Sequence, residues 1–74
     1  MTEEQVLERL KEKYPEAEIQ ASDMTGTGSN FQIYIKSPEF EKLTRVQRHQ
    51  AVMSCFSAEL ESGEVHALAI KTEV

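Results

Sequence analysis

The chain has 74 residues, with 13 acidic and 8 basic side chains, a formal net charge of −5 and 39% hydrophobic residues. A chain of this length is one domain, residues 1–74, and buries only about 60% of its unfolded surface, which leaves no cleft between domains. The acidic balance argues against broad phosphate binding, the single cysteine excludes an internal disulfide framework, and no apolar run reaches the ~18 residues of a membrane span.

In chain order, Thr2 and Gln5 have the spacing of a capping box, and Val6, Leu7, Leu10 and Tyr14 recur on one helical face. Glu3 and Glu4 early, with Lys11 and Lys13 late, suit the helix dipole, and Pro15 stops the helix. Residues 16–23 alternate as a strand, with Ala17, Ile19 and Ala21 on one side. Asp23-Met24-Thr25-Gly26-Thr27-Gly28-Ser29-Asn30 is the glycine-rich stretch, and Phe31, Ile33 and Ile35 mark a second strand after it. A strand rather than a lysine-bearing helix follows the glycines, so the stretch reads as a hairpin tip and not as a phosphate cradle.

Ser37-Pro38-Glu39-Phe40 predicts a capped short helical turn. A longer helix starts at Thr44, again with a capping box to Gln47, and runs to a C-cap at Gly63. Its stripe is Val46, His49, Val52, Met53, Phe56 and Leu60. The last strand, Val65 to Lys71, is apolar on both faces, which predicts an interior position. The helical crossover between the second and third strands predicts a parallel, right-handed connection. The expected fold is α+β, in the order αββααβ, with helices on one face of a three-stranded mixed sheet.

The two histidines and the cysteine carry most of the available chemistry. His49 lies on the apolar stripe, which predicts a core-edge histidine bonded to backbone. Cys55, in the same helix, reads as a small hydrophobe. His66 falls at the mouth of the final strand, and a parallel pairing brings it close to loop 24–30. An imidazole there suits a metal ligand or a proton switch, and equally a structural histidine. No nucleophile–base pair is visible, so no enzyme is expected. Lys42, Arg45, Arg48 and His49 form the one basic cluster, either a solvated face or a docking surface for an anionic partner.

Thr25-Gly26-Thr27-Gly28-Ser29-Asn30-Phe31-Gln32-Ile33, Ser37 with Phe40, Arg48-His49-Gln50-Ala51-Val52 and Val65-His66-Ala67-Leu68-Ala69-Ile70-Lys71-Thr72 together resemble the BolA-like family. The resemblance covers nearly the whole chain and looks most like the short bacterial and organellar members. It implies a class II KH-like fold and a non-enzymatic role in iron–sulfur cluster assembly, trafficking or iron regulation, in partnership with a monothiol glutaredoxin. It further implies a 2Fe-2S cluster shared with the glutaredoxin cysteine and glutathione, with His66 as the metal ligand and no cofactor on the isolated chain. Thr27, Asn30, Lys42, Arg45, Arg48 and His49 are the implied partner-binding residues.

The family's second ligand, His or Cys, comes from the loop between the first two strands. Here residues 22–31 contain neither, and Thr27 and Asn30 stand in that region. A cluster held through His66 alone, one with a substitute ligand, and a cluster-free complex on the same face all stay open. The KH-like likeness implies an alternative, a nucleic-acid-binding transcriptional regulator in stress or morphology responses, acting through Lys42, Arg45 and Arg48. The corresponding turn, Phe40-Glu41-Lys42-Leu43, lacks the glycines of a KH grip. The acidic start and lone cysteine point to the bacterial cytoplasm, or to the mitochondrial matrix for a processed eukaryotic chain. The expected free state is a monomer or weak homodimer with no membrane association.

Overall fold

The computed structural model describes residues 1–74. The elements are α1 (Glu3–Lys13), β1 (Glu18–Asp23), β2 (Asn30–Lys36), a 3₁₀ turn (Pro38–Phe40), α2 (Arg45–Ser54), α3 (Ser57–Ser62) and β3 (Ala67–Glu73). The fold is α+β with a three-stranded mixed sheet, as the sequence predicts.

Both expected capping boxes form. Thr2 Oγ1 accepts from Gln5 N–H at 3.1 Å while Gln5 Oε1 accepts from Thr2 N–H at 2.9 Å. Thr44 and Gln47 repeat the exchange at 3.2 and 3.0 Å. Each box satisfies two otherwise orphaned donors at a helix start. Ser37 Oγ accepts from Glu39 N–H and opens the 3₁₀ turn with Pro38 at its first position. Gly63, at φ +84°, closes α3 in the left-handed region.

The strand order is β1-β2-β3. β1 and β2 pair antiparallel, with Ala21 opposite Ile33. β2 and β3 pair parallel, with Asn30 opposite Ala67 and Ile33 opposite Ile70. The period-2 alternation of β2 sends Phe31, Ile33 and Ile35 into the core and leaves Gln32 and Lys36 in solvent. Val6 and Leu10 of α1, Tyr14 at its C-cap, Ala17, Phe40, Val52 of α2, Phe56 and Val65 complete that core on the same face of the sheet. Tyr14 and Phe40 meet edge to face with centroids 5.2 Å apart. Burying each of these aliphatic or aromatic side chains stabilises the fold by roughly 1.5–3 kcal/mol.

Four expectations are corrected. β1 starts at Glu18 rather than residue 16, because Ala17 N–H is spent on Tyr14 C=O in the turn that closes α1. β3 starts at Ala67 rather than Val65 and extends to Glu73, because Val65 N–H goes to Glu59 C=O and its side chain enters the core. β3 is an edge strand, not an interior one: its exposed alternate positions are Ala67, Ala69 and Lys71, and alanine reads as apolar while needing no burial.

The long helix is two helices. Cys55 N–H bonds Val52 C=O and Phe56 N–H bonds Met53 C=O, both shortened by one residue. The Ala51 carbonyl is taken instead by Ser54 Oγ at 2.7 Å and Cys55 Sγ at 3.5 Å. Such side-chain bonds compete with the helical ladder. The break sends Phe56 fully into the core and re-aims α3, where Glu59 meets Arg9 of α1.

Candidate functional site

The β1–β2 hairpin tip is organised by one carboxylate. Asp23 accepts three backbone N–H bonds, from Gly28 at 2.7 Å, Gly26 at 3.0 Å and Thr25 at 3.4 Å. Gly26 and Gly28 sit at φ +72° and +73°, which only glycine adopts without strain. The N-terminal turn of α1 braces the loop from behind. Glu3 Oε2 accepts from Asp23 N–H at 2.7 Å, and the Met1 ammonium donates to Gly28 C=O at 3.0 Å. Along the outer side, Thr25, Thr27 and Ser29 hydroxyls are linked at 2.7 Å each, and Asn30 Nδ2 donates to Ser29 Oγ at 3.2 Å.

The parallel β2–β3 register carries the chain back to this loop. His66 N–H donates to Ser29 C=O at 2.7 Å, and Ala67 N–H shares that carbonyl at 3.3 Å. The expected adjacency of His66 and the loop is therefore present, and the His66 side chain is exposed. Thr27, Asn30 and His66 lie at one end of the sheet.

The basic cluster lies elsewhere. Arg45, Val46, His49 and Gln50 of α2 face Ile70, Lys71, Thr72 and Glu73 of β3 across a groove of about 590 Å³. Its β3 wall begins four residues beyond His66, about 13 Å along an extended strand. The His49 side chain is exposed in this groove and makes no hydrogen bond to backbone, which corrects its expected core-edge place. Val46, 64% exposed, likewise leaves the apolar stripe. Val52 and Phe56 are fully buried, whereas Arg45 and Val46 in the first turn of α2 are exposed. Arg48 is half-buried and turned back, its Nε donating to Leu43 C=O at 2.9 Å, while Lys42 is exposed.

The structure thus separates Thr27, Asn30 and His66 at the loop end from Arg45 and His49 in the groove, with Lys42 and Arg48 outside both. The groove's β3 wall and Asp23's role in the loop are absent from the sequence reading. The signal for the first was Val46, a large apolar residue out of phase with Val52 and Phe56.

No three His, Cys, Asp or Glu side chains converge as a metal cage. The Asp23 oxygens are engaged by backbone, and the loop's remaining groups are hydroxyls and an amide, poor ligands for a thiophilic metal. Cys55 is half-buried between α2 and α3, and burial pushes its thiol pKa up, against the pull of Lys13 and Arg9. It is held as a thiol, not presented as a thiolate. The loop end therefore offers one exposed imidazole, that of His66, among hydroxyl and amide groups.

The sequence pattern that defines the family described as BolA-like protein matches residues 5–74. The chain belongs to the BolA-like family. An uncharacterized protein of the rpoN-murA intergenic region of Acinetobacter guillouiae is 38% identical over 71 residues, 96% of this chain and 82% of that one. Protein BOLA2 of Arabidopsis thaliana is 33% identical over 72 residues, 96% of this chain and 75% of that one. The BolA domain of SufE1 from Arabidopsis thaliana superimposes with a TM-score of 0.85 at 25% identity, over 95% of this chain and 87% of that domain. The separations above therefore describe a BolA-like fold: a hairpin loop that meets the mouth of β3, and an α2–β3 groove farther along the same strand.

Proposed function

We propose that this BolA-like protein is a non-enzymatic adaptor in iron–sulfur cluster assembly or trafficking. It docks a monothiol glutaredoxin and offers His66 to a 2Fe-2S cluster held otherwise by the glutaredoxin cysteine and glutathione. The cluster is cargo of the complex. One observation carries the reading: the exposed His66 is tethered through its backbone to the hairpin loop, so an imidazole is presented at a fixed place on an otherwise donor-poor surface. A histidine nitrogen is a suitable iron ligand in a mixed thiolate–imidazole cluster. Family membership and the occurrence of a BolA domain within SufE1 support partnering with other proteins.

The α2–β3 groove supplies a second contact region, with Arg45 and His49 on its α2 wall, while Lys71 on its β3 wall is paired with Glu73 at 3.7 Å. Complementary charge there would guide an acidic partner surface. Nucleic-acid binding has less support: of its three candidate cations, Arg48 is turned onto Leu43, and two remaining phosphate contacts give weak, salt-sensitive binding.

The test is a titration of the chain into glutathione-loaded, cluster-bearing monothiol glutaredoxin, followed by visible circular dichroism. A new spectrum with the wild type and its loss with His66→Ala are expected. Identical, unchanged spectra for both would remove the ligand role.

A further inference from the structure

We propose that Asp23 is a positioning residue for the His66 ligand, acting through the backbone of the hairpin loop. This inference deepens the adaptor reading and rests on it.

Asp23 is the last residue of β1, and its carboxylate turns into the loop it precedes. A carboxylate that accepts several N–H bonds is a charge-assisted hub, stronger than a set of neutral bonds. The shortest of its bonds is to Gly28 N–H, at 2.7 Å. The next residue, Ser29, presents the carbonyl that receives both His66 and Ala67 N–H. The path from Asp23 to the imidazole-bearing residue is therefore one side-chain bond, one peptide unit and one backbone bond. Glu3 fixes Asp23 in turn through its N–H.

The other braces on this segment, the Met1 ammonium on Gly28 C=O and Met24 N–H on Asn30 C=O, hold carbonyls and leave the Gly26 and Gly28 N–H groups to Asp23. The Thr25, Thr27 and Ser29 hydroxyls bond one another on the exposed side, where water competes for them. The glycines supply conformational freedom, not restraint. Without the carboxylate, Gly26 and Gly28 lose their Asp23 bonds, and the peptide units leading to the Ser29 carbonyl are less restrained. His66, still carried by buried Val65 and by the pairing of Ala67 with Asn30, then keeps its chemistry while its bond to the loop loosens. A ligand misplaced by about 1 Å costs affinity as surely as one removed.

The experiment uses the full chain with Asp23→Asn, Asp23→Ala and, as a control, Leu10→Ala, which weakens the core and leaves the loop bonds in place. In the isolated chain, hydrogen exchange of the His66 and Gly28 amides is read by ¹⁵N NMR. With cluster-bearing, glutathione-loaded glutaredoxin, the visible circular dichroism titration is read for each variant.

Loss of one to two net hydrogen bonds predicts about fivefold to fiftyfold faster His66 amide exchange in Asp23→Ala and a similar rise in the half-saturating concentration. Asp23→Asn keeps one acceptor oxygen and should fall between Asp23→Ala and wild type. Leu10→Ala should retain the wild-type cluster spectrum at temperatures where it is folded. Unchanged His66 exchange in Asp23→Ala overturns the proposal, as does equal loss of the cluster spectrum in folded Leu10→Ala. A wild-type chain that gives no cluster spectrum, beside an exchange effect in Asp23→Ala, refutes the adaptor reading and with it the ligand-positioning role.

Discussion

Gly28 and Met1 are packed so closely that no side chain fits between them: a Cβ on Gly28 would overlap the Met1 carbonyl oxygen. The same glycine donates to Asp23 and accepts from the Met1 ammonium, so it is the point where α1, the hairpin and the loop are joined.

Gly28→Ala should therefore cost more than Gly26→Ala. Both positions have positive φ, a penalty of roughly 1 kcal/mol for a non-glycine residue. Gly26 faces open space, whereas Gly28 adds a backbone clash that the chain must shift to relieve. Urea denaturation should place Gly26→Ala about 1 kcal/mol below wild type and Gly28→Ala about 2–4 kcal/mol below it. Equal losses would show that the Met1 contact does not constrain the loop.

Thr44→Ala should destabilise the protein by about 1 kcal/mol, since it removes the side-chain half of the α2 capping box. Arg45 and His49 ride on the turn that this box begins, so backbone amide shifts in the groove should move while those of loop 24–30 stay. A variant with unchanged stability and unchanged shifts would rule out the cap as the groove's anchor.

Arg9 and Glu59 give the fold an acid sensitivity. The hydrogen bond from Arg9 holds the Glu59 carboxyl below the usual carboxylate range and raises the Arg9 pKa. A depressed folded-state pKa contributes stability above the unfolded value, near 4.3, and that contribution is lost as pH falls through the folded value. The melting temperature should thus decline below about pH 4.3, and Glu59→Gln should make that part of the decline shallower. Parallel pH profiles for the two proteins would dismiss the pair as a source of it.

Arg45→Glu should weaken glutaredoxin binding several-fold at low salt and less at high salt, without altering the cluster spectrum at saturation. His66→Ala should do the opposite, abolishing the spectrum with a stability change within about 0.5 kcal/mol, as expected for an exposed side chain. Isothermal titration at two ionic strengths checks the first; a salt-independent loss would mean that the groove's charge plays no part in docking.

Much of this molecule is written locally. The capping boxes of Thr2 and Thr44, the glycine signals and the alternation of β2 each depend on a few neighbouring residues, and each is legible. The approach of His66 to the loop is legible too, because a parallel crossover dictates which strand ends coincide. Other features depend on competition between distant partners. The break at Cys55 and Phe56 requires knowing that Phe56 is drawn into the core and that the Ala51 carbonyl is taken by side chains. The edge position of β3 is hidden because Ala67 and Ala69 look the same in solvent and in a core. The Asp23 hub has no sequence signature beyond an aspartate before a turn.

The two halves of the loop-end site enter the sheet by different routes. The hairpin belongs to β1 and β2 and is closed locally, whereas His66 arrives only when β3, half-exposed at the sheet edge, is zipped along β2. Fraying of that edge would carry the imidazole away and leave the hairpin intact. On the adaptor reading proposed above, edge docking and cargo retention would be linked equilibria. A partner that touched both the loop and the final strand would clamp the edge shut, and the folded population of one strand would then set how long such a complex kept its cargo.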